Sequence, residues 1–213
     1  MIKYLTLTEL FNDRVESQTI RRLLVAGVEC FWRKGFHASS TREIAKRAKL
    51  SPAAVYVHFT AKEDLLFMII LVVAENLRDH LRELSKLKST PTELLQRIII
   101  AYITLPVYMY KASLVANREF SSLTVTHRKQ IVKIRDELEN IVDECLTAGK
   151  IAGDFYFKDL SITRIAVLSL FRSTLLWYTP RGKYTPEEIA LLYVDLVLNM
   201  VRGPREIKPQ VNR

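Results

Sequence analysis

Three helix starts crowded between Ser40 and Glu63 constrain this chain more than any other feature of its sequence. In Ser40-Thr41-Arg42-Glu43 the serine can cap a helix while the glutamate reaches back to the cap's own N–H, the reciprocal pattern of a capping box. The helix it opens turns Ile44, Ala45 and Ala48 inward. Only Lys49 and Leu50 then precede Ser51, a second N-cap, and Pro52, which stands at the first helical position, where its missing N–H costs nothing. A helix of under three turns follows through Phe59, and Thr60-Ala61-Lys62-Glu63 repeats the capping-box pattern ahead of a long helix to about Leu84. Upstream, Ser17 to Lys34 carries apolar residues at Ile20, Leu23, Leu24, Val28, Phe31 and Trp32, the stripe of an amphipathic helix, with Gly35 as its stop.

Six Gly and seven Pro in 213 residues leave few turns, and the remaining blocks read as larger helices. They run from Thr92 to about Tyr110 with a kink at Pro106, from Ser113 to Ser121, from His127 to Ala148 with Gly149 and Gly153 as breakers, from Leu160 to Tyr178, and from Pro186 to Arg202. The expected fold is all-α with about nine helices. It divides into an N-terminal extension (1–16), a three-helix domain (17–61), a larger helical domain (62–203) and a frayed tail (204–213).

The net charge of +9 favours a polyanionic partner, either nucleic acid or an anionic membrane surface. Two short helices around a tight turn have the dimensions of a helix-turn-helix, which selects nucleic acid. A major groove only about 12 Å wide demands close approach, which Ala53 and Ala54 permit, and their methyls suit thymine. Arg42, Lys46, Arg47, Lys49 and Lys62 surround them, and Tyr56 and His58 reach toward phosphates. A basic membrane-binding or protein-interaction module is the weaker alternative, since it would use one longer amphipathic helix.

The string STREIAKRAKLSPAAVYVHFTAKEDLL resembles the N-terminal domain of the tetracycline-repressor (TetR) family, with its capped second helix, Ser-led recognition helix, Tyr-x-His-Phe ending and Lys-Glu pair. The resemblance implies a bacterial regulator whose Ser40, Thr41, Arg42, Ser51, Pro52, Ala53 and Ala54 lie at base edges or nearby backbone, and whose Tyr56, His58 and Lys62 hold phosphates. Arg42 is the candidate for a bidentate guanine contact. One departure stands out: the family usually places Gly in the turn, and this chain has Lys49, which a left-handed conformation would cost on the order of 1 kcal/mol.

In the last two blocks apolar residues cover more than one face. Ile189, Leu192, Tyr193, Leu196, Val197 and Met200 lie on one side of the final helix, with Leu191, Val194 and Leu198 on another. The preceding helix sets Ile162, Ile165, Ala166 and Ser169 against Val167, Leu168, Phe171 and Leu175. Leu168, Phe171, Leu175, Leu191, Val194 and Leu198 are the expected seam of an isologous homodimer, formed as a four-helix bundle. Such a dimer would set two recognition helices about 34–36 Å apart on a pseudo-palindromic operator.

The expected effector cavity draws on Tyr102, Val107, Met109 and Phe120, with Asn117, Arg118, Arg172 and Trp177 around it. The stretch from Trp177 to Ala190 and Tyr193 to Leu198 is similar to TetR regulators of fatty-acid and steroid breakdown, which implies a small apolar effector, with an acyl-CoA thioester as its candidate class.

The motifs HExxH, GxSxG, GxxxxGK[ST], GxGxxG and CxxC are absent, so an enzyme would be one without a recognisable signature, and no catalytic residue, cofactor or metal site is expected. His80 and Glu83 form one i,i+3 pair, read as solvated surface. Cys30 and Cys145 read as reduced core residues. The acidic N-terminal stretch and a longest apolar run of only Leu65 to Ala74 point to a soluble, cytoplasmic protein with no membrane partner.

Overall fold

The computed structural model describes residues 7–202, so positions 1–6 of the extension and the tail from 203 onward lie outside the described residues. Ten α-helices run in order among them: α1 Leu7–Arg14, α2 Gln18–Ala38, α3 Thr41–Arg47, α4 Pro52–His58, α5 Lys62–Lys86, α6 Pro91–Tyr108, α7 Tyr110–Arg118, α8 Val125–Ile151, α9 Leu160–Trp177 and α10 Pro186–Val201. A single 3₁₀ turn, Phe120–Ser122, links α7 to α8. The all-α expectation holds, with one helix more than the sequence suggests.

That additional helix is α1. Leu10 and Phe11 are fully buried against α2 and α5, and Arg14 pairs with Asp79 of α5 at 2.9 Å. Leu7, Leu10 and Phe11 in an eight-residue segment cover barely one helical turn and do not announce a helix; the tertiary groove supplies the stability.

Helix ends follow the chemistry of their caps. The hydroxyls of Thr90 and Thr185 accept from the N–H groups of Glu93 and Glu188, whose carboxylates accept in return from the cap N–H groups. Gly35 leaves helical geometry (φ 80°, ψ 167°) where the stop was expected, in a region that favours a residue without Cβ, although helical hydrogen bonding resumes to Ala38. Pro106 is accommodated within α6, and the sharp bend comes three residues later: at Met109 the chain turns by 95° into α7.

Gly149 does not break α8, contrary to the sequence expectation. It is buried inside the helix, and a Cβ there would lie 2.0 Å from the Phe155 ring. Its role is a close approach, while Gly153 (φ 79°) provides the left-handed stop. A continuous apolar core runs from α1 through α10, with α6 packed on α10 and α5 on both α6 and α8.

Candidate nucleic-acid interface and effector cavity

Helices α3 and α4 are held by Ile44, Ala45 and Val55, all fully buried, and by Phe59 at the end of α4. Ser40 Oγ accepts from Glu43 N at 3.2 Å and Ser51 Oγ from Ala54 N at 3.3 Å, so both N-caps form as the sequence predicts. The reciprocal halves of the two expected capping boxes do not. Glu43 turns to Lys34 Nζ at 2.8 Å, and the cap of α5 is Ala61, whose N–H donates to Asp64 Oδ2 at 2.8 Å. Glu63 is thereby released to accept from Thr124 N and to pair with His127 on α8, whose ring stacks on Phe67 at 3.9 Å.

Between α3 and α4, Lys49 takes the left-handed conformation (φ 56°) that Gly usually supplies. Its N–H donates to Lys46 O and that of Leu50 to Ala45 O, the paired hydrogen bonds of a Schellman motif. The turn therefore keeps the geometry a glycine would give it. Arg22 braces it from α2, its guanidinium donating to the carbonyls of Ala48 at 2.5 Å and Lys49 at 3.0 Å.

The outer surface of this pair carries Ser40, Arg42, Ser51, Pro52, Ala53, Tyr56 and His58, all exposed, with Thr41 and Ala54 half-buried beside them. Tyr56 is 60% exposed and its hydroxyl meets Thr41 Oγ1 at 2.9 Å, which fixes the tip of α4 against the start of α3. Val57, 76% exposed, adds an apolar group that sequence reasoning passed over.

Lys62 departs from expectation. Its ammonium donates to the carbonyls of Phe36 at 2.6 Å and Ser39 at 2.7 Å and lies 4.3 Å from the Phe36 ring centroid. Burial lowers its pKa. The ammonium thus clips the end of α2 to the start of α5, adding to the bond that the Phe36 carbonyl already accepts from Ser39 N at 3.2 Å.

A cavity of about 170 Å³ lies in the larger domain, walled by Ile70 and Val73 of α5, Tyr102 and Met109 of α6 and its end, Ile131 of α8, and Phe171 of α9. Of the expected lining, Tyr102, Met109, Asn117 and Arg172 are there. Val107, Arg118, Phe120 and Trp177 are not: Val107 is buried elsewhere, Arg118 and Trp177 face outward, and the Phe120 ring is covered by the Arg135 guanidinium at 3.9 Å. Sequence reasoning missed Arg135 and Ser113, which also line the cavity. Arg135 left a readable trace, standing on the apolar stripe of α8 between Ile131 and Leu138.

Most of the expected dimer seam is covered within the monomer, and on α10 the two faces read from the sequence mix, since Ile189 and Val197 are buried along with Val194 and Leu198. Leu168, Phe171, Leu175, Val194 and Leu198 are buried within the monomer, Phe171 against Tyr102 of α6 at 5.1 Å, and only Leu191 of that set is exposed. Large apolar residues stay exposed on both helices: Ile162, Ile165 and Leu176 on α9, and Leu191, Leu192, Leu196 and Met200 on α10. Apolar residues on more than one side of a helix carry no label for inside and outside, and packing against α6 chose between them. Helix α9 is also long and apolar enough by composition to cross a membrane, yet its Arg164 and Arg172 are both paired with Glu139 of α8.

Of the His80–Glu83 pair read as solvated surface, Glu83 is exposed and pairs with Lys86 at 2.6 Å, whereas His80 is half-buried and its Nε2 has no hydrogen-bond partner among the described residues. Glu63, Asp64 and His127 come within 4.8 Å of one another, but hydrogen bonds to Thr124 N, Ala61 N and the imidazole already engage both carboxylates.

Residues 23–69 match the family description "Bacterial regulatory proteins, tetR family", and residues 88–201 match "Tetracyclin repressor-like, C-terminal domain". The fatty acid metabolism regulator protein of Bacillus subtilis is 27% identical over 133 residues, 62% of this chain and 69% of its own length. A tetR-family regulatory protein from Rhodococcus RHA1 has a solved structure that superposes with a TM-score of 0.83 at 30% identity, covering 89% of this chain and 100% of the other. The structure of AibR in complex with isovaleryl coenzyme A and operator DNA shares the fold, with a TM-score of 0.76 at 20% identity over 88% of this chain and 100% of that one.

Proposed function

Because the chain belongs to the tetR family of bacterial regulatory proteins, we propose that it is a homodimeric repressor that holds a pseudo-palindromic operator and is released when a small apolar acyl compound fills its cavity. Membership of a family of regulators sets aside the helical-enzyme alternative. The observation that carries the DNA-binding reading is the outward face of α3 and α4. Arg42, Ser51, Ala53, Ala54, Tyr56 and His58 share one surface while Ile44, Ala45 and Val55 lock it from behind. Small residues let α4 enter a groove, Arg42 has no ion-pair partner among the described residues, and the exposed hydroxyls and imidazole suit phosphate oxygens.

The uncovered apolar residues of α9 and α10 support the dimer. Covering such exposed apolar side chains is a favourable contribution to association. Two-fold pairing through this surface repeats the α3–α4 unit once per partner. Helix α7 supports ligand response: Ser113 and Ala116 line the cavity, while Lys111 on the same helix pairs with Glu29 of α2 at 2.5 Å and lies over the Trp32 ring. A ligand that moves α7 therefore acts on the helix carrying the DNA-binding unit, through differential affinity for two states. The relative solved with isovaleryl coenzyme A supports an acyl effector.

The test is selection of bound fragments from host genomic DNA by the purified protein at stated salt, repeated with a panel of acyl compounds. A recurring inverted repeat, lost on adding one compound, is the expected result. Enrichment no better than bulk DNA at low salt would overturn the DNA-binding reading.

A further inference from the structure

Resting on the reading of the cavity as the effector site, we propose that it is built for the carboxylate of a compact apolar acid, held by Arg135 with the hydroxyls of Ser113 and Tyr102, rather than for a neutral thioester carbonyl. Most of its wall is aliphatic or aromatic, and among the described residues no carboxylate lines it. Into this wall α8 places Arg135, which has neither an ion-pair nor a hydrogen-bond partner among the described residues and rests on the Phe120 ring. The neighbouring charges are already matched: Glu139 takes Arg172 at 3.1 Å and Arg164 at 3.1 Å, and Asp143 takes Arg164 at 3.2 Å. Arg135 is the cation left over.

Two hydroxyls reinforce the reading. Ser113 is 3% exposed, lines the cavity, and its Oγ has no hydrogen-bond partner. Tyr102 is buried with its ring against Phe171, and its hydroxyl likewise has no hydrogen bond among the described residues. Ser113 Oγ is a buried hydroxyl without a partner, which is costly, and a ligand bringing two anionic oxygens can satisfy it together with the Tyr102 hydroxyl and the Arg135 guanidinium. Burial, and then the nearby Arg172, lower the Arg135 pKa against the attraction of Glu139, so the unliganded site holds its cation at a cost that an anion reduces. A thioester carbonyl supplies one weaker acceptor and leaves that charge uncompensated.

The cavity volume of about 170 Å³ limits the body of the acid. An engineered cavity of roughly 150 Å³ holds benzene, so one ring or a short branched chain fits without moving the walls.

The experiment is calorimetric titration of the full chain, without DNA, at pH 7.5 and fixed salt. The probes are benzoate, cyclohexanecarboxylate and 4-methylpentanoate, each beside its amide and its CoA thioester. At least one acid is expected to bind about 10-fold or more tightly than its amide, a gap of about 1.4 kcal/mol, and Arg135→Gln is expected to abolish that preference. An amide that binds as well as its acid overturns the carboxylate assignment. So does a thioester that binds where the acid does not, and that result keeps the acyl-effector reading intact. Silence from all nine probes overturns both. If Arg135→Gln does not fold, the wild-type comparison of acid with amide still decides, with Ser113→Ala expected to weaken the acid more than the amide.

Discussion

Single residues decide how the DNA-binding unit is aimed and how firmly it is held. Lys49 occupies a backbone conformation that disfavours a side chain, so Lys49→Gly should raise stability by about 1 kcal/mol, or 2–4 °C in Tm for a chain of this size. Thermal unfolding by circular dichroism checks this. Lys62 and Arg42 are both basic and close in sequence, yet Lys62 is committed to backbone carbonyls while Arg42 is exposed. Lys62→Met should cost about 1–2 kcal/mol of stability by leaving the carbonyls of Phe36 and Ser39 without their cation, while the salt slope of DNA binding stays unchanged. Arg42→Ala should leave stability alone and relax preference at one operator position by about 1–3 kcal/mol. Salt-dependent binding curves on matched and mismatched operators separate the two. His80 sets a pH limit. Burial lowers its pKa below 6.5, so the folded chain disfavours the proton that the unfolded chain accepts. Its contribution is fully present above about pH 6.5 and is lost as pH falls toward the lowered folded-state value. Denaturant midpoints between pH 7 and 5 should decline less steeply in His80→Gln than in the wild type.

At the scale of elements, helices stop and approach one another where a small residue or a cap allows it. Gly149 sits inside α8 because Phe155 closes over it. Ala is the better helix former by about 1 kcal/mol, yet Gly149→Ala should destabilise the protein by about 1–3 kcal/mol, because the added methyl cannot share space with that ring. Urea unfolding of the two proteins gives the sign directly, and a more stable Gly149→Ala would show that Phe155 is free to withdraw. The same reasoning explains why one glycine that looks like a helix breaker is not one: periodicity sees a residue type, whereas the neighbouring loop determines its use. Cys145, on the buried stripe of α8, has its thiol pKa pushed up to about 12 by burial, consistent with the reduced core residue its apolar setting suggests.

At the scale of the whole molecule, a monomer that buries part of the apolar surface of α9 and α10 leaves the rest open. Leu176→Glu and Leu196→Glu are each expected to shift sedimentation from twice the chain mass of 24.7 kDa toward the single chain, and to weaken operator binding without unfolding the α3–α4 unit. A dimer that survives both changes would place the interface elsewhere. Much of this architecture was legible in the linear chain. Capping hydroxyls at Ser40 and Ser51, Pro52 at a helix start and the spacing of Ile44, Ala45 and Val55 are local signals, and local chemistry determines where a short helix begins and which side it buries. What the sequence left open was decided by contacts between distant segments. Helix α1 exists because a groove receives Leu10 and Phe11, Lys62 faces inward because the end of α2 presents carbonyls to it, and the buried stripe of α9 was chosen by packing against α6. Hydrophobic burial is nearly indifferent to which apolar side of a helix it covers, so only the assembled neighbours could settle which residues of α9 and α10 lie inside and line the cavity and which stay exposed.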